Sequence, residues 1–350
     1  MTIRNVPIVL CLFLATFSPH SASCAQPDDS TELAAASLVE NAVFAATDSL
    51  DLSGSETGDA GACLGGLRWQ PAKFQVTLEK PQRGFGNWLV RFPSPKPMGD
   101  ATIDRVAMEW YQAKNEDGDP LVAPAIVVVH ESGRSMTVGR LIAKGLSGMG
   151  VHAFLIQLPG YGQRGKLPEA DPRKLLDVLQ QAVADVRRAR DAVAILPLIN
   201  NRRIGLQGTS LGGFVTAAVC GLDHGYDCQF VFLAGGNLHD VVLKGQRDAA
   251  KIREKLQAAG LSDDEIMALA NPIEPLRIAH RVRSETTWLY SGTKDDVVPP
   301  SCSHAWAAAA KLSDSHHIQM PVDHYSGVLY LPKILGEIRE IMLAVPQADE

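Results

Sequence analysis

The chain predicts an α/β fold: a mostly parallel central sheet with helices on both faces and a small helical cap insertion. Two observations carry that expectation. Ile126-Val127-Val128-Val129 is an unbroken β-branched run, the pattern of a strand buried on both faces. From there onward, short apolar runs alternate with segments of helical spacing such as Leu176, Leu179, Val183, Val186 and Val193. Such alternation buries its apolar surface when helices cover a parallel sheet from both sides.

The elements follow in order. Residues 1–25 read as a signal peptide: Arg4 gives the positive start, Ile8 to Phe17 an apolar stretch too short to span a membrane, and Ser23-Cys24-Ala25 a small-residue cleavage site. Export to the periplasm or the medium is therefore expected. Lipid attachment at Cys24 is the alternative, with Ser21 standing where lipoprotein signals resembling this one carry Leu. Residues 26–68, rich in Ala, Ser, Asp and Gly, predict a poorly ordered mature N-terminus and place the folded domain over 69–350. Phe74 to Leu78, Trp88 to Phe92 and Ile103 to Tyr111 alternate as an antiparallel opening of the sheet, with turns at 93–97 and 115–118. Strands are then expected over 126–129, 153–156, 203–207, 230–233, 287–290 and 318–320, and helices over 138–146, 176–193, 214–220 and 328–343. About fifty residues separate Leu233 from Thr287, far more than a crossover needs. They predict a cap around 237–285, with one helix from Asp248 to Ala259 and another opened by the capping box Ser262-x-x-Glu265. The charges of this insertion read as a solvated helix face.

Composition narrows the partners. With 46% hydrophobic and 21% charged residues the 350-residue chain can bury one large core, and a net charge of −6 without a basic face excludes nucleic acid as the partner class. No later segment reaches membrane-spanning length, so no transmembrane segment is expected in the mature chain. Cys63, Cys220, Cys228 and Cys302 remain after signal removal. A local Cys220–Cys228 disulfide and two small buried thiols are equal readings. No zinc pattern is present, and neither metal nor cofactor is expected.

Gly208-Thr209-Ser210-Leu211-Gly212-Gly213 carries the chemistry. It lies between a strand pattern and an apolar helical run, the setting of the G-x-S-x-G nucleophile elbow. The turn is tight enough that side chains at 208 and 212 would collide, and it presents Ser210 at the positive N-terminus of a helix. A serine hydroxyl needs a base. Of ten histidines, His324 follows the last strand and precedes the last helix, on the sheet edge that bears the elbow, whereas His316 and His317 read as surface or core positions. The base in turn needs a carboxylate. Asp295, in Gly292-Thr293-Lys294-Asp295-Asp296-Val297-Val298-Pro299, is placed to supply it, with Asp296 the neighbouring alternative. Two backbone N–H groups are needed where negative charge develops: Leu211 directly after the serine, and Ser132 in the loop His130-Glu131-Ser132-Gly133, with Glu131 next in line.

Together these motifs resemble the α/β-hydrolase superfamily over roughly residues 70–345, in the chain order Ser210, Asp295, His324. Within it the chain is similar to the dienelactone hydrolase and acetyl xylan esterase-like branch, which overlaps prolyl oligopeptidase catalytic domains. Leu158-Pro159-Gly160-Tyr161-Gly162 matches the P-G-x-G loop, and His130-Glu131-Ser132-Gly133 is partly similar to the Gln-Glu-x-x-Gly of dienelactone hydrolases. Those enzymes use a cysteine where this chain has Ser210. The resemblance implies a cofactor-free serine hydrolase acting on a small-molecule or carbohydrate ester. The alternatives are a serine peptidase of the prolyl oligopeptidase type and a non-catalytic binding protein on the same scaffold. Some 100 mature residues before Ile126 are too few for the propeller that screens peptides in such oligopeptidases, which favours the ester.

Overall fold

The computed structural model describes residues 38–344 apart from 52, 54, 55, 82, 83 and 168–173, so the signal segment and Cys24 lie outside the described residues. Its strands are β1 (Val43–Thr47), β2 (Lys73–Glu79), β3 (Trp88–Pro93), β4 (Arg105–Tyr111), β5 (Ala123–Val129), β6 (His152–Gln157), β7 (Ile199–Thr209), β8 (Cys228–Phe232), β9 (Thr287–Gly292) and β10 (His317–Met320). They form one sheet in the order β1-β2-β3-β4-β6-β5-β7-β8-β9-β10. From β6 to β10 every pair is parallel, while β1 to β4 and the β4–β6 junction are antiparallel. This is the α/β-hydrolase architecture that the sequence predicts.

Period-two side chains explain why β5 reads as continuously apolar. Val127 and Val129 enter one core with residues of α3 (Leu175–Ala194) and α4 (Leu211–Leu222), whereas Ile126 and Val128 enter the other with residues of α2 (Thr137–Ser147) and α9 (Leu331–Leu343). Burying such a side chain is worth about 1.5–3 kcal/mol. The last helix is shorter than the sequence predicts: residues 326–330 form a 3-10 turn, and α9 opens at Leu331, where Pro332 suits the first turn.

The N-terminal expectation is corrected. Residues 43–47 pair antiparallel with β2, from Val43 opposite Thr77 to Thr47 opposite Lys73. Helix α1 (Gly58–Leu67) buries Cys63, Leu64 and Leu67. Two buried carboxylates hold this segment. The Asp48 carboxylate accepts from Arg188 Nε at 2.8 Å, Trp69 Nε1 at 3.1 Å and the Ala72 N–H at 3.0 Å. Asp191 accepts from the N–H and hydroxyl of Ser49 at 2.7 and 2.6 Å. The folded unit thus begins well before residue 69.

The disulfide reading also falls. Cys63, Cys220, Cys228 and Cys302 are buried free thiols. Cys220 packs in a cluster with Ala217 and Trp306, while Cys228 packs with Phe230 and Met342 in the core under α9, so the two occupy different cores.

The insertion supplies α5 (Leu238–Lys244), α6 (Asp248–Ala258) and α7 (Asp263–Ala270) before the chain reaches β9 and α8 (Pro300–Ala309). Its own small core is Leu256, Leu261 and Ile266. The capping box forms: Ser262 Oγ accepts the Glu265 N–H at 3.3 Å, and Glu265 Oε2 accepts the Ser262 N–H at 2.8 Å. Among the described residues no helix is long and apolar enough to cross a membrane.

Candidate active site

Ser210 joins β7 to α4 with φ 53° and ψ −114°, a backbone that costs a non-glycine residue about 1–3 kcal/mol. The surrounding glycines exist to permit it. A Cβ on Gly208 would run into the Gly212 carbonyl and Thr216 Oγ1, and one on Gly212 into the carbonyls of Val129 and His130. The Ser210 N–H is bonded to the Phe232 carbonyl at 2.9 Å, which ties the turn to β8.

The three elements singled out in the sequence converge here. Ser210 Oγ lies 2.9 Å from His324 Nε2, and His324 Nδ1 lies 2.7 Å from Asp295 Oδ2. A carboxylate can only accept, so Nδ1 carries the proton and Nε2 is left to accept from the serine hydroxyl. Asp295 is 5% exposed, and its other oxygen accepts the N–H groups of Val297 at 2.9 Å and Val298 at 2.8 Å, which fixes the carboxylate. The loop bearing His324 is shaped by Asp323, which accepts the N–H groups of Tyr325 at 2.9 Å and Ser326 at 2.8 Å. Asp296 turns the other way and pairs with Arg247 of the insertion at 2.9 Å.

Of the two expected N–H donors, one follows the serine in the chain and the other belongs to a residue of the same cleft. Leu211 opens α4, so its N–H has no carbonyl within the helix. Ser132 lines the cleft with Ser210 and His324. Its peptide is held by residues that the sequence reading passed over. His130 is fully buried, accepts the Leu158 N–H at Nε2 (3.1 Å) and so donates from Nδ1 to the Glu131 carbonyl at 2.6 Å. Burial pushes this imidazole down to about 4, which keeps it neutral. In a trans peptide the N–H points opposite the C=O, so anchoring the Glu131 carbonyl turns the Ser132 N–H away from the buried ring. Tyr161 packs its ring at a tilt against His130, 4.5 Å between centroids, and donates to the Ser132 carbonyl at 3.0 Å. The available signals were the position of His130 at the end of β5 and the aromatic residue within the P-G-x-G loop. Glu131 accepts the Val138 and Gly139 N–H groups, both at 3.1 Å, and thereby anchors the start of α2.

The cleft has a volume of about 370 Å³. Its lining combines Glu131, Ser132 and Thr209 with Asp248 of the insertion, Tyr325 of the His324 loop and a majority of apolar surface. Tyr325 donates to Asp248 Oδ2 at 3.1 Å, so the insertion reaches the His324 loop. Asp248 keeps a side chain that is 43% exposed and paired with Lys251, in line with a solvated helix face, while also bordering the cleft.

Among curated proteins nothing matches this chain. Solved structures share its fold at low identity. An acetyl xylan esterase from Paenibacillus sp. R4 has a TM-score of 0.56 and 16% identity, over 81% of this chain and 92% of that one. Acetyl xylan esterase 1 from Thermoanaerobacterium sp. JW/SL YS485 has a TM-score of 0.52 and 14% identity, over 79% and 92%. A puromycin-hydrolysing peptidase from Mycobacterium tuberculosis has a TM-score of 0.54 and 17% identity over 77% of this chain, which spans only 46% of the peptidase. The model of the prolyl oligopeptidase family matches residues 141–327, more than half of the chain and inclusive of Ser210, Asp295 and His324. On the strength of that match this chain belongs to the prolyl oligopeptidase family, within the α/β-hydrolase superfamily.

Proposed function

We propose that the protein is an exported serine hydrolase that cleaves carboxylic esters through an acyl-enzyme. The observation that carries this reading is the Ser210–His324–Asp295 relay, at 2.9 and 2.7 Å, on a strained turn at a cleft. Ser210 Oγ attacks the carbonyl carbon while His324 Nε2 takes its proton. Asp295 holds the ring and stabilises its cationic form. The oxygen that becomes negative is met by the Leu211 and Ser132 N–H groups. His324 then protonates the leaving alcohol, and a water activated by the same nitrogen releases the acid. Ester rather than peptide is supported by a compact, largely apolar cleft, which has few groups to hold the amide backbone of an extended chain.

Ser210→Ala is expected to lower p-nitrophenyl ester hydrolysis by ~10⁴-fold or more with the melting temperature retained. Retained turnover in a clean preparation would remove the assignment. Matched amides should turn over far more slowly than esters, and equal rates would favour a peptidase. Export rests on residues 1–25, and N-terminal sequencing of the secreted protein should begin at Gln26.

A further inference from the structure

Beside its polar residues the cleft is lined by Phe232, Leu233, Met320, Val328, Leu331 and Ile334, and all of these but Val328 pack in one apolar cluster, which makes an apolar wall. Five of these are no more than 7% exposed, so they belong to the core beneath α9 and present its surface to the cleft. Leu233 is held there by an unusual backbone. It has φ 49°, its N–H is bonded to the Tyr290 carbonyl at 2.8 Å, and a Cβ on Gly327 would come within 2.9 Å of its side chain. A bulky residue in the left-handed region marks a position that the fold retains against strain.

The charged groups at the cleft do not extend into this wall. Both carboxylate oxygens of Glu131 are engaged by the Val138 and Gly139 N–H groups. Asp248, at the insertion side, is bonded to Lys251 at 2.9 Å and to Tyr325. A sugar ring in the apolar part would leave its hydroxyls unpaired, at a cost that apolar contact does not offset. An acetyl group would leave most of the space empty: at ~30 Å³ per water-sized unit, 370 Å³ holds about a dozen non-hydrogen atoms.

On the reading of Ser210 as the nucleophile, we infer that the protein selects esters bearing an unbranched alkyl group of about four to eight carbons, which lies along the Leu233–Ile334 wall. The alkyl group can belong to the acid or to the alcohol. Both place the same chemistry in the pocket, and the two series below tell them apart.

The test uses the mature protein with p-nitrophenyl esters from acetate to decanoate and with acetates of alcohols from ethanol to decanol. In one series kcat/KM should rise about three- to fourfold per methylene up to six to eight carbons, the increment expected for each buried methylene, and then level or fall. Val328, 40% exposed at the rim, gives a variant that does not require repacking the core. Val328→Trp should lower kcat/KM for the six- to eight-carbon substrates at least tenfold and leave the two-carbon ester within about threefold. A preference for the two-carbon ester in both series, or a uniform loss in Val328→Trp, would overturn the inference. Ser210→Ala separates this outcome from failure of the ester-hydrolase reading. If that variant is inert and length preference is absent, only the pocket assignment falls; if it retains turnover, both fall.

Discussion

Two buried aspartates, one in each half of the sheet, are solvated by the protein in similar ways and coupled to different partners. Asp48, 6% exposed and just past β1, accepts from an indole, a backbone N–H and the Arg188 guanidinium. Asp295, 5% exposed and just past β9, accepts from two backbone N–H groups and the His324 ring. Arginine stays charged at any ordinary pH, so the Asp48 pair locks the N-terminal segment onto α3. Histidine can gain and lose a proton near neutrality, so the Asp295 pair can follow a charge that appears and disappears during a reaction. The antiparallel half uses its buried carboxylate to hold structure. In the parallel half it is aimed at a cleft, where a serine stands on the other side of the ring.

Replacing each aspartate should break this comparison along different axes. Asp295→Asn leaves the volume intact but removes the acceptor that sets the His324 tautomer, and should cost on the order of 10⁴ in kcat with a small change in melting temperature. Asp48→Asn strands the Arg188 charge in a buried site and should cost about 3–5 kcal/mol in urea unfolding, while kcat of the folded protein stays within about twofold. If Asp48→Asn lowered kcat as Asp295→Asn does, the two halves would not be functionally separate.

A second pair, two buried histidines, sharpens the contrast through pH. His130, buried behind the Glu131–Ser132 peptide, donates from Nδ1 and accepts at Nε2. His152 on β6 does the reverse, donating from Nε2 to the Leu121 carbonyl at 2.8 Å and accepting the Ala113 N–H at Nδ1 at 3.0 Å. Burial pushes both down to about 4. Above pH 6.5 neither state binds the extra proton strongly. Below it the unfolded chain binds protons that the folded protein refuses until about pH 4, so acid favours unfolding. Urea unfolding should show about 1.5 kcal/mol lost per histidine between pH 6.5 and 5. A flat profile over that window would mean that these imidazoles are charged in the fold.

How much of this was legible follows from whether the cause was local. The Gly208–Gly213 turn could be read because its glycines answer steric demands within a few residues, and the β5 run because burial on both faces leaves a composition. The capping box was visible for the same reason. Strand β1 was not. Its outward Val43 and Ala45 are as apolar as its inward Phe44 and Ala46, so the sequence shows no alternation even though the burial does, and its place depends on pairing with β2 and on an ion pair and hydrogen bonds to residues about 140 positions away. The roles of His130 and Tyr161 were hidden likewise, since their partners come from different loops. Which of the adjacent acids meets His324 could be ranked from the G-x-x-D pattern, but the contact itself is a matter of three dimensions.

That adjacent pair gives the finest test. Asp296 carries the same carboxylate one residue along, yet it faces Arg247, and the side chains of the pair are 38% and 49% exposed. An ion pair this exposed contributes about 0–1 kcal/mol, screened by salt. Its placement still has a consequence, since Arg247 immediately precedes α6 and lies over the Tyr325 ring at 5.0 Å, next to His324 in sequence. Asp296→Asn should therefore leave the chemistry of the relay untouched and loosen only the tie between the insertion and the His324 loop. The expected result is less than about 1 kcal/mol in stability, with any effect on activity appearing in KM before kcat and fading as salt is raised. A loss of kcat approaching that of Asp295→Asn would place the working carboxylate at 296 and make the 2.7 Å contact of Asp295 with His324 a resting arrangement, not the working one.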